Sequence, residues 1–224
     1  MRRGAIASQP RQRRPEVSAS DWKNTVSRVR LAVCFAAVLA VVVSAPVFAY
    51  DPTAAANYAE QWWNSYNDTQ FQRYGNDCTS FVSQASWAGG YDFDYSGGNP
   101  WYGYYLYGGW YSSTSWSFVQ NNRGFHITKG DPVVTDITGV KTAPTNGVKG
   151  DIVYYSWFGD RTFATDSHAS FAVVSYGVAT STPDSGLLVD SHTNPRHKEY
   201  WTLYKWNAYW ATTIYQVVHP LSSR

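Results

Sequence analysis

The chain has 224 residues, of which 44% are hydrophobic and 17% aromatic, and its formal net charge is +2. Eight of its 18 basic residues but only two of its 16 acidic residues lie before position 31, so residues 50–224 carry a net charge of −4. The acidic balance of this region excludes the nucleic-acid partner that a basic whole chain would indicate. Its length suits one domain with a core large enough to need no disulfide.

The first 49 residues have the three parts of a secretory signal peptide. A basic segment precedes residues 31–43, which contain no polar side chain except the thiol of Cys34, and small residues at Val47 and Ala49 follow. The apolar run is shorter than the about 20 residues that a membrane-spanning helix needs. We expect cleavage after Ala49 and a secreted, monomeric protein that touches a membrane only through its leader, if the leader is retained.

Two helices are the first predicted elements of residues 50–224. Residues 53–64 are alanine-rich and lack glycine and proline, and residues 77–90 (DCTSFVSQASWAGG) end on the glycine pair expected just past a helix. Asp77 stands at the N-cap position of the second helix, and Cys78 follows it. Apolar residues recur at helical spacing on the stripe that includes Cys78, namely Phe81, Val82, Ala85 and Ala88. The pattern therefore places the Cys78 thiol in a first turn, facing the body of the protein.

The later part of the chain has the composition of strands. Residues 91–116 are rich in glycine, tyrosine and tryptophan without a sustained period, which predicts a long loop with at most short strands. Four later segments are rich in β-branched and aromatic residues between turn signals: residues 152–158, 168–178, 187–193 and 213–219. Helices followed by strands predict an α+β fold in which the helices pack on a C-terminal antiparallel sheet.

Cys78 is the candidate nucleophile, since a helix N-terminus stabilises a thiolate through its dipole and free N–H groups. The backbone N–H of Cys78 is also placed to hold the oxyanion that forms when a carbonyl is attacked. His168 is the candidate base, because the small residues after it leave room for its ring to approach the helix. Three polar residues alternate on the next predicted strand and are candidates for the group that orients His168: Asp190, His192 and Asn194.

Several segments together resemble an amidase family marked by the motif Asp-Cys-Thr-Asn-Phe-Val-Ser-Gln. They are the cysteine block at residues 77–90, YDPTAAANYAEQW before it, the Ser115-Trp116 pair, GDIVYY, and HASFAVV from His168. This family is similar to the CHAP and NlpC-type peptidoglycan hydrolases, which have a papain-like α+β fold. The resemblance implies Cys78 as nucleophile, His168 as base and His192 as third residue, with no cofactor. Ser80 stands where the motif has asparagine.

The favoured function is therefore a cysteine amidase or peptidase that cuts peptide amides, with peptidoglycan at a bacterial cell wall as the expected substrate. A non-catalytic module that binds carbohydrate or cell wall through its aromatic residues is the alternative, but it would not need a cysteine, a histidine and a polar strand in this order. A zinc hydrolase is a third possibility. Its candidate ligands, His126, His168, His192, His197 and His219, do not have the spacing of a helical ligand pair.

Overall fold

The computed structural model describes residues 49–142, 144 and 146–221. The predicted leader lies outside the described residues except for Ala49, so its cleavage and the start of the domain at Tyr50 stay predictions. Within the described part of the chain, no helix has the length and apolar character needed to cross a membrane.

In the described part of the chain, four helices precede the main sheet: α1 (Pro52–Trp62), α2 (Cys78–Ala88), α3 (Thr114–Ser117) and α4 (Val119–Thr128). Asp51 caps α1, because its Oδ1 accepts hydrogen bonds from the backbone N–H groups of Thr53 and Ala54. Helix α2 ends where Gly90 adopts a φ of +88°, a conformation that glycine takes without a steric penalty. Both helices predicted from the sequence are thus confirmed, within two residues at each end.

The residues from 49 onward that the structure describes also form two antiparallel sheets. A hairpin joins β1 (Gly103–Leu106) and β2 (Gly109–Ser112). The main sheet has six strands, β3 (Val133–Thr138), β4 (Ile152–Ser156), β5 (Ser167–Val178), β6 (Ser185–Ser191), β7 (Arg196–Tyr200) and β8 (Ile214–Val218). They lie in the order β3-β8-β4-β5-β6-β7, and all neighbours are antiparallel. The predicted α+β class with an antiparallel sheet is confirmed.

The main sheet is covered on both faces. On one face α1 and α2 pack through alanines and Phe81 against Tyr154, Ala169 and Phe171. On the other face, loops after β7 bring Trp201 against Tyr155 and Tyr215. We call these the helix face and the loop face. Alternate residues of β4 and β5 therefore belong to different cores, which is why both strands read as continuous apolar runs.

The structure adds elements that the sequence pattern did not predict. Strand β7 has the sequence RHKEY, whose charged residues hide its strand character, and α4 is largely polar. Strand β3 lies at the edge of the sheet and alternates only weakly. Strand β6 ends at Ser191, earlier than predicted, so residues 192–195 form a turn.

Candidate active site

Cys78 is the first residue of α2 and lies between that helix and β5. Its side chain is 8% exposed and belongs to the core of the helix face. The backbone N–H of Ala169 donates a hydrogen bond to the thiol, and the hydroxyl of Thr79 lies 3.9 Å from Sγ. Ala169 lies near the start of β5. Pairing between β5 and β6 begins only at Phe171, so Ala169 has no partner residue in β6. The thiol is thus held against the residue that follows His168.

Burial decides the protonation state of this thiol. Loss of hydration raises the pKa of Cys78 above its usual value, and the neighbouring Asp77 carboxylate raises it further. Hydrogen bonds from Ala169 and Thr79 act in the opposite direction but do not outweigh burial. The expectation of a resting thiolate therefore finds no support in this structure, where loss of hydration has the largest influence on the thiol. The resting side chain is a neutral thiol.

Thr193 provides the N-terminal cap of α2, although it lies far away in the sequence. Its hydroxyl oxygen accepts hydrogen bonds from the backbone N–H groups of Asp77, at 2.9 Å, and Cys78, at 3.1 Å. The Asp77 side chain, which the sequence places at the N-cap, makes no capping hydrogen bond. Thr193 has a φ of 72°, which is costly for a β-branched residue. The predicted oxyanion donor, the N–H of Cys78, is consequently occupied by this hydroxyl.

His192 is paired with Asp77 rather than with His168. Its Nδ1 lies 2.6 Å from Asp77 Oδ2, and its Nε2 lies 2.9 Å from the carbonyl oxygen of Ser65. A carbonyl can only accept, so Nε2 carries a proton, and one proton is shared between Nδ1 and the Asp77 carboxyl group. The ring stacks on Phe81 with centroids 4.8 Å apart. Both nitrogens are engaged, so the prediction that His192 orients His168 is wrong in this structure.

His168 is adjacent to Ala169 in β5, but its ring lies on the loop face. Successive side chains of a strand alternate: Ala169 packs with Cys78, whereas the His168 ring stacks on Trp157 with centroids 5.7 Å apart and tilts against Tyr155. No hydrogen bond joins the Cys78 thiol and the His168 imidazole, both of which the structure describes. The predicted nucleophile thus contacts the residue that follows the predicted base, but the side chains of Cys78 and His168 make no hydrogen bond to each other.

The surroundings of His168 keep its imidazole neutral. Burial among aromatic rings, together with the positive charge of Arg196, lowers its pKa to about 4, whereas the charge of Asp77 acts in the opposite direction. A neutral imidazole has a free nitrogen lone pair and can accept a proton at neutral pH. The electrostatics therefore fit a proton acceptor, though a weak one.

His168 opens onto a groove of about 410 Å³ on the loop face. Aromatic residues form much of its wall: Trp157, Phe158, Trp206 and Tyr209. Polar and charged side chains line the rest: Asp166, Ser191, Asn194, Arg196 and Asn207. An apolar cavity with a few polar groups beside a titratable residue is the usual form of a ligand site.

The other two candidates for the third residue lie in different places. Asp190 is fully buried, accepts a hydrogen bond from the backbone N–H of Lys198 at 2.6 Å and lies beside His197; burial raises its pKa to about 6. Asn194 is exposed and lines the groove with His168. The period-two argument that put all three residues on one face fails, because β6 ends at Ser191 and the chain turns. Of the three candidates for the third residue, only Asn194 lines the groove with His168.

The remaining histidines, like His192, pair with separate aspartates: His126 with Asp131, His197 with Asp190 and His219 with Asp151. Within the described residues, no three His, Cys, Asp or Glu side chains come together in a way that would hold a metal ion.

Fold and site together define an α+β protein in which a buried helix-start cysteine packs against the residue that follows a strand histidine, and this histidine lines an aromatic groove on the other face of the sheet. Residues 49–215 match the family described as "Putative amidase domain". The chain belongs to this family, whose description names amide-bond hydrolysis as the expected class of activity.

One relative among curated proteins is the uncharacterized protein YhbB of Bacillus subtilis strain 168. It is 28% identical over 177 residues, which cover 77% of this chain and 50% of the relative. The chain thus spans about half the length of the relative that it matches. No solved structure matches the chain.

Two site residues escaped the sequence analysis. Thr193 caps the helix through contacts with Asp77 and Cys78. These residues precede it by 116 and 115 positions in the chain, so no local pattern reveals the contacts. Arg196 enters the groove because a turn after β6 reverses the chain. The available signal was modest: an arginine three positions after the end of a predicted strand, with Lys198 and Lys205 close behind it.

Proposed function

We propose that this protein is a secreted cysteine amidase that hydrolyses amide bonds in peptidoglycan peptides through a thioacyl intermediate on Cys78. One observation carries the proposal: the Cys78 thiol, at the first turn of a helix, receives the N–H of the residue next to His168 at the end of β5. Membership of an amidase family supports it. The papain-like arrangement, the likeness to CHAP and NlpC-type hydrolases and the export of the protein are parts of this proposal.

The reaction begins with a neutral thiol and a neutral imidazole. We propose that His168 rotates around the end of β5, away from Trp157, and takes the thiol proton as Sγ attacks the amide carbonyl. The S–C bond forms, and the oxyanion takes the place of the Thr193 hydroxyl at the N–H of Cys78. His168 then gives its proton to the leaving amine as the C–N bond breaks.

Hydrolysis of the thioester completes the cycle. A water molecule loses a proton to His168 and attacks the thioester carbonyl, so that a C–O bond forms. The S–C bond breaks, the proton returns to Sγ, and a carboxylic acid leaves. Asn194 is the proposed partner that steadies His168 after its rotation, because it is the one candidate that shares the groove.

Fragment analysis tests the proposal. Purified peptidoglycan is incubated with the wild-type protein, with Cys78→Ala and with His168→Ala, and the released fragments are identified by mass spectrometry. We expect new amino and carboxyl termini with the wild type alone, and a mass increase on the Cys78 peptide when the reaction is quenched early. Hydrolysis by Cys78→Ala at the wild-type rate would contradict a cysteine mechanism.

A second candidate function, glycan binding, rests on a tyrosine surface in which Tyr95 and Tyr111 are exposed and Tyr102 and Tyr104 are partly buried. Successive rings lie 5.2, 5.7 and 6.2 Å apart, and Tyr95 is 62% exposed. Residues 95–117 contain no charged side chain. Exposed aromatic faces with hydroxyl groups suit a neutral polysaccharide.

Sedimentation with insoluble peptidoglycan or chitin tests this second function. A Tyr104→Ala, Tyr111→Ala double variant is expected to lose binding, while Tyr209→Ala, which removes an exposed tyrosine elsewhere, keeps it. Equal binding by both variants would exclude a glycan site on the tyrosine surface.

A further inference from the structure

Arg196 is the basic residue of the groove, and little of its hydrogen-bonding capacity is in use. Its Nη1 donates to the carbonyl oxygen of Pro195 at 2.8 Å, and its planar group lies 4.4 Å from the centre of the Trp206 ring. It forms no ion pair with any carboxylate of the residues that the structure describes. A guanidinium has several N–H donors in one plane, so most of them remain available.

Among the described residues, no carboxylate that lines the groove forms an ion pair with Arg196. Asp166 is the carboxylate that lines the same cavity, yet it makes no ion pair with Arg196. Asn194 and Asn207 contribute neutral amide groups, and His168 is neutral. A planar cation that rests on an indole ring and faces an aromatic cavity is suited to hold a carboxylate through two parallel hydrogen bonds.

We propose that Arg196 binds a carboxylate group of the substrate close to the amide that is cut, which makes the substrates peptides with a free carboxyl group near the cleavage site. The inference rests on the proposed function, because it takes the groove at His168 as the substrate site. It adds a substrate class that membership of the family does not provide.

Binding of such a carboxylate has a consequence for His168. The charge of Arg196 holds the pKa of His168 down, so an anion that compensates this charge raises the pKa of His168 and makes it a stronger base. The correct substrate thereby improves the catalyst as it binds, whereas a neutral peptide leaves His168 a weak proton acceptor.

The first experiment measures binding without turnover. The Cys78→Ala protein is titrated with N-acetylalanine and with its carboxamide, and the indole N–H resonance of Trp206, assigned with Trp206→Phe, is followed by NMR. We expect the carboxylate to bind at least tenfold more tightly than the carboxamide, and Arg196→Gln to remove the difference, with Arg196→Lys keeping part of it. Equal affinities, or no response of Trp206 to the carboxylate, would overturn the inference.

The second experiment separates this inference from the proposed function. Peptides released from peptidoglycan are offered with their carboxyl groups free or converted to amides, and kcat/KM is measured for the wild type, Cys78→Ala and Arg196→Gln. We expect at least a tenfold preference of the wild type for free carboxyl groups, and none for Arg196→Gln. Equal cleavage of both substrates refutes the role of Arg196 alone, whereas hydrolysis that persists in Cys78→Ala refutes the cysteine mechanism instead.

Discussion

The N-terminus of α2 and the groove at His168 adjoin each other but differ in how their polar groups are satisfied. At the helix, Asp77, His192 and Thr193 bond to one another and to the backbone, and all are shielded from solvent to a large degree. In the groove, His168 has no side-chain hydrogen bond within the described residues, and Arg196 has one, to its neighbour's carbonyl. The polar groups of the helix terminus are thus satisfied within the protein, whereas those of the groove remain available.

Removing His192 is expected to have the largest effect on stability. His192→Ala leaves the buried Asp77 carboxyl group without its partner, which costs about 3–5 kcal/mol of unfolding free energy. Arg196→Ala, on the groove side, serves as the matched control and should stay within about 0.5 kcal/mol of the wild type. Urea unfolding followed by circular dichroism measures both. If the two variants are destabilised equally, the contrast between the regions is wrong.

The reactivity of Cys78 measures how closed the helix terminus is. A buried thiol with a raised pKa should react with iodoacetamide at pH 7 at least tenfold more slowly than an unfolded cysteine peptide, because so little thiolate is present. The rate should climb as the pH rises above 9. Alkylation is followed by intact mass, with urea-unfolded protein as the control. Rapid alkylation of the folded protein at pH 7 would contradict a raised pKa of Cys78 and support the thiolate that the sequence pattern predicts.

The Thr193 cap should contribute a smaller amount. Thr193→Val keeps the shape of the side chain but removes the oxygen that accepts from Asp77 and Cys78, so we expect a loss of about 1–2 kcal/mol. Thr193→Ser retains the oxygen and should stay close to the wild type. Thermal unfolding compares them. A neutral Thr193→Val would show that these N–H groups find another acceptor.

The smallest effect concerns the pH dependence of turnover. His168 must be neutral to accept a proton, and its pKa of about 4 places the acid limb of kcat/KM well below the usual histidine range. Arg196→Gln removes a nearby positive charge and should move this limb upward by less than about one unit. The free energy of unfolding should change with pH in the same range. Between pH 6.5 and about 4 the histidine of the unfolded chain binds a proton that folded His168 does not, so the folded protein becomes less stable as the pH falls. A limb near pH 6.5 in the wild type would contradict a buried base.

Periodicity predicted the parts of the fold that depend on local contacts. The cysteine helix and the four apolar strands follow from spacing and composition, and their cores lie where the patterns place them. Strand β7 was missed because its sequence, RHKEY, lacks the alternation of apolar and polar residues that predicts a strand. It lies at the edge of the main sheet. The errors at the site have a physical cause as well. The partners of His192 and Cys78 come from distant segments, and an unforeseen turn after Ser191 ended the alternation on which the third residue was chosen.

Strand β8 lies between β3 and β4, although it follows both of them in the chain. A ribosome or a translocation channel delivers the chain from its N-terminus, so the centre of the main sheet has a gap until residues 214–218 emerge. The earlier strands cannot close their cores by themselves, and pairing across such sequence distances forms slowly. The main sheet is therefore expected to close late, once its last strand has joined β3 to β4.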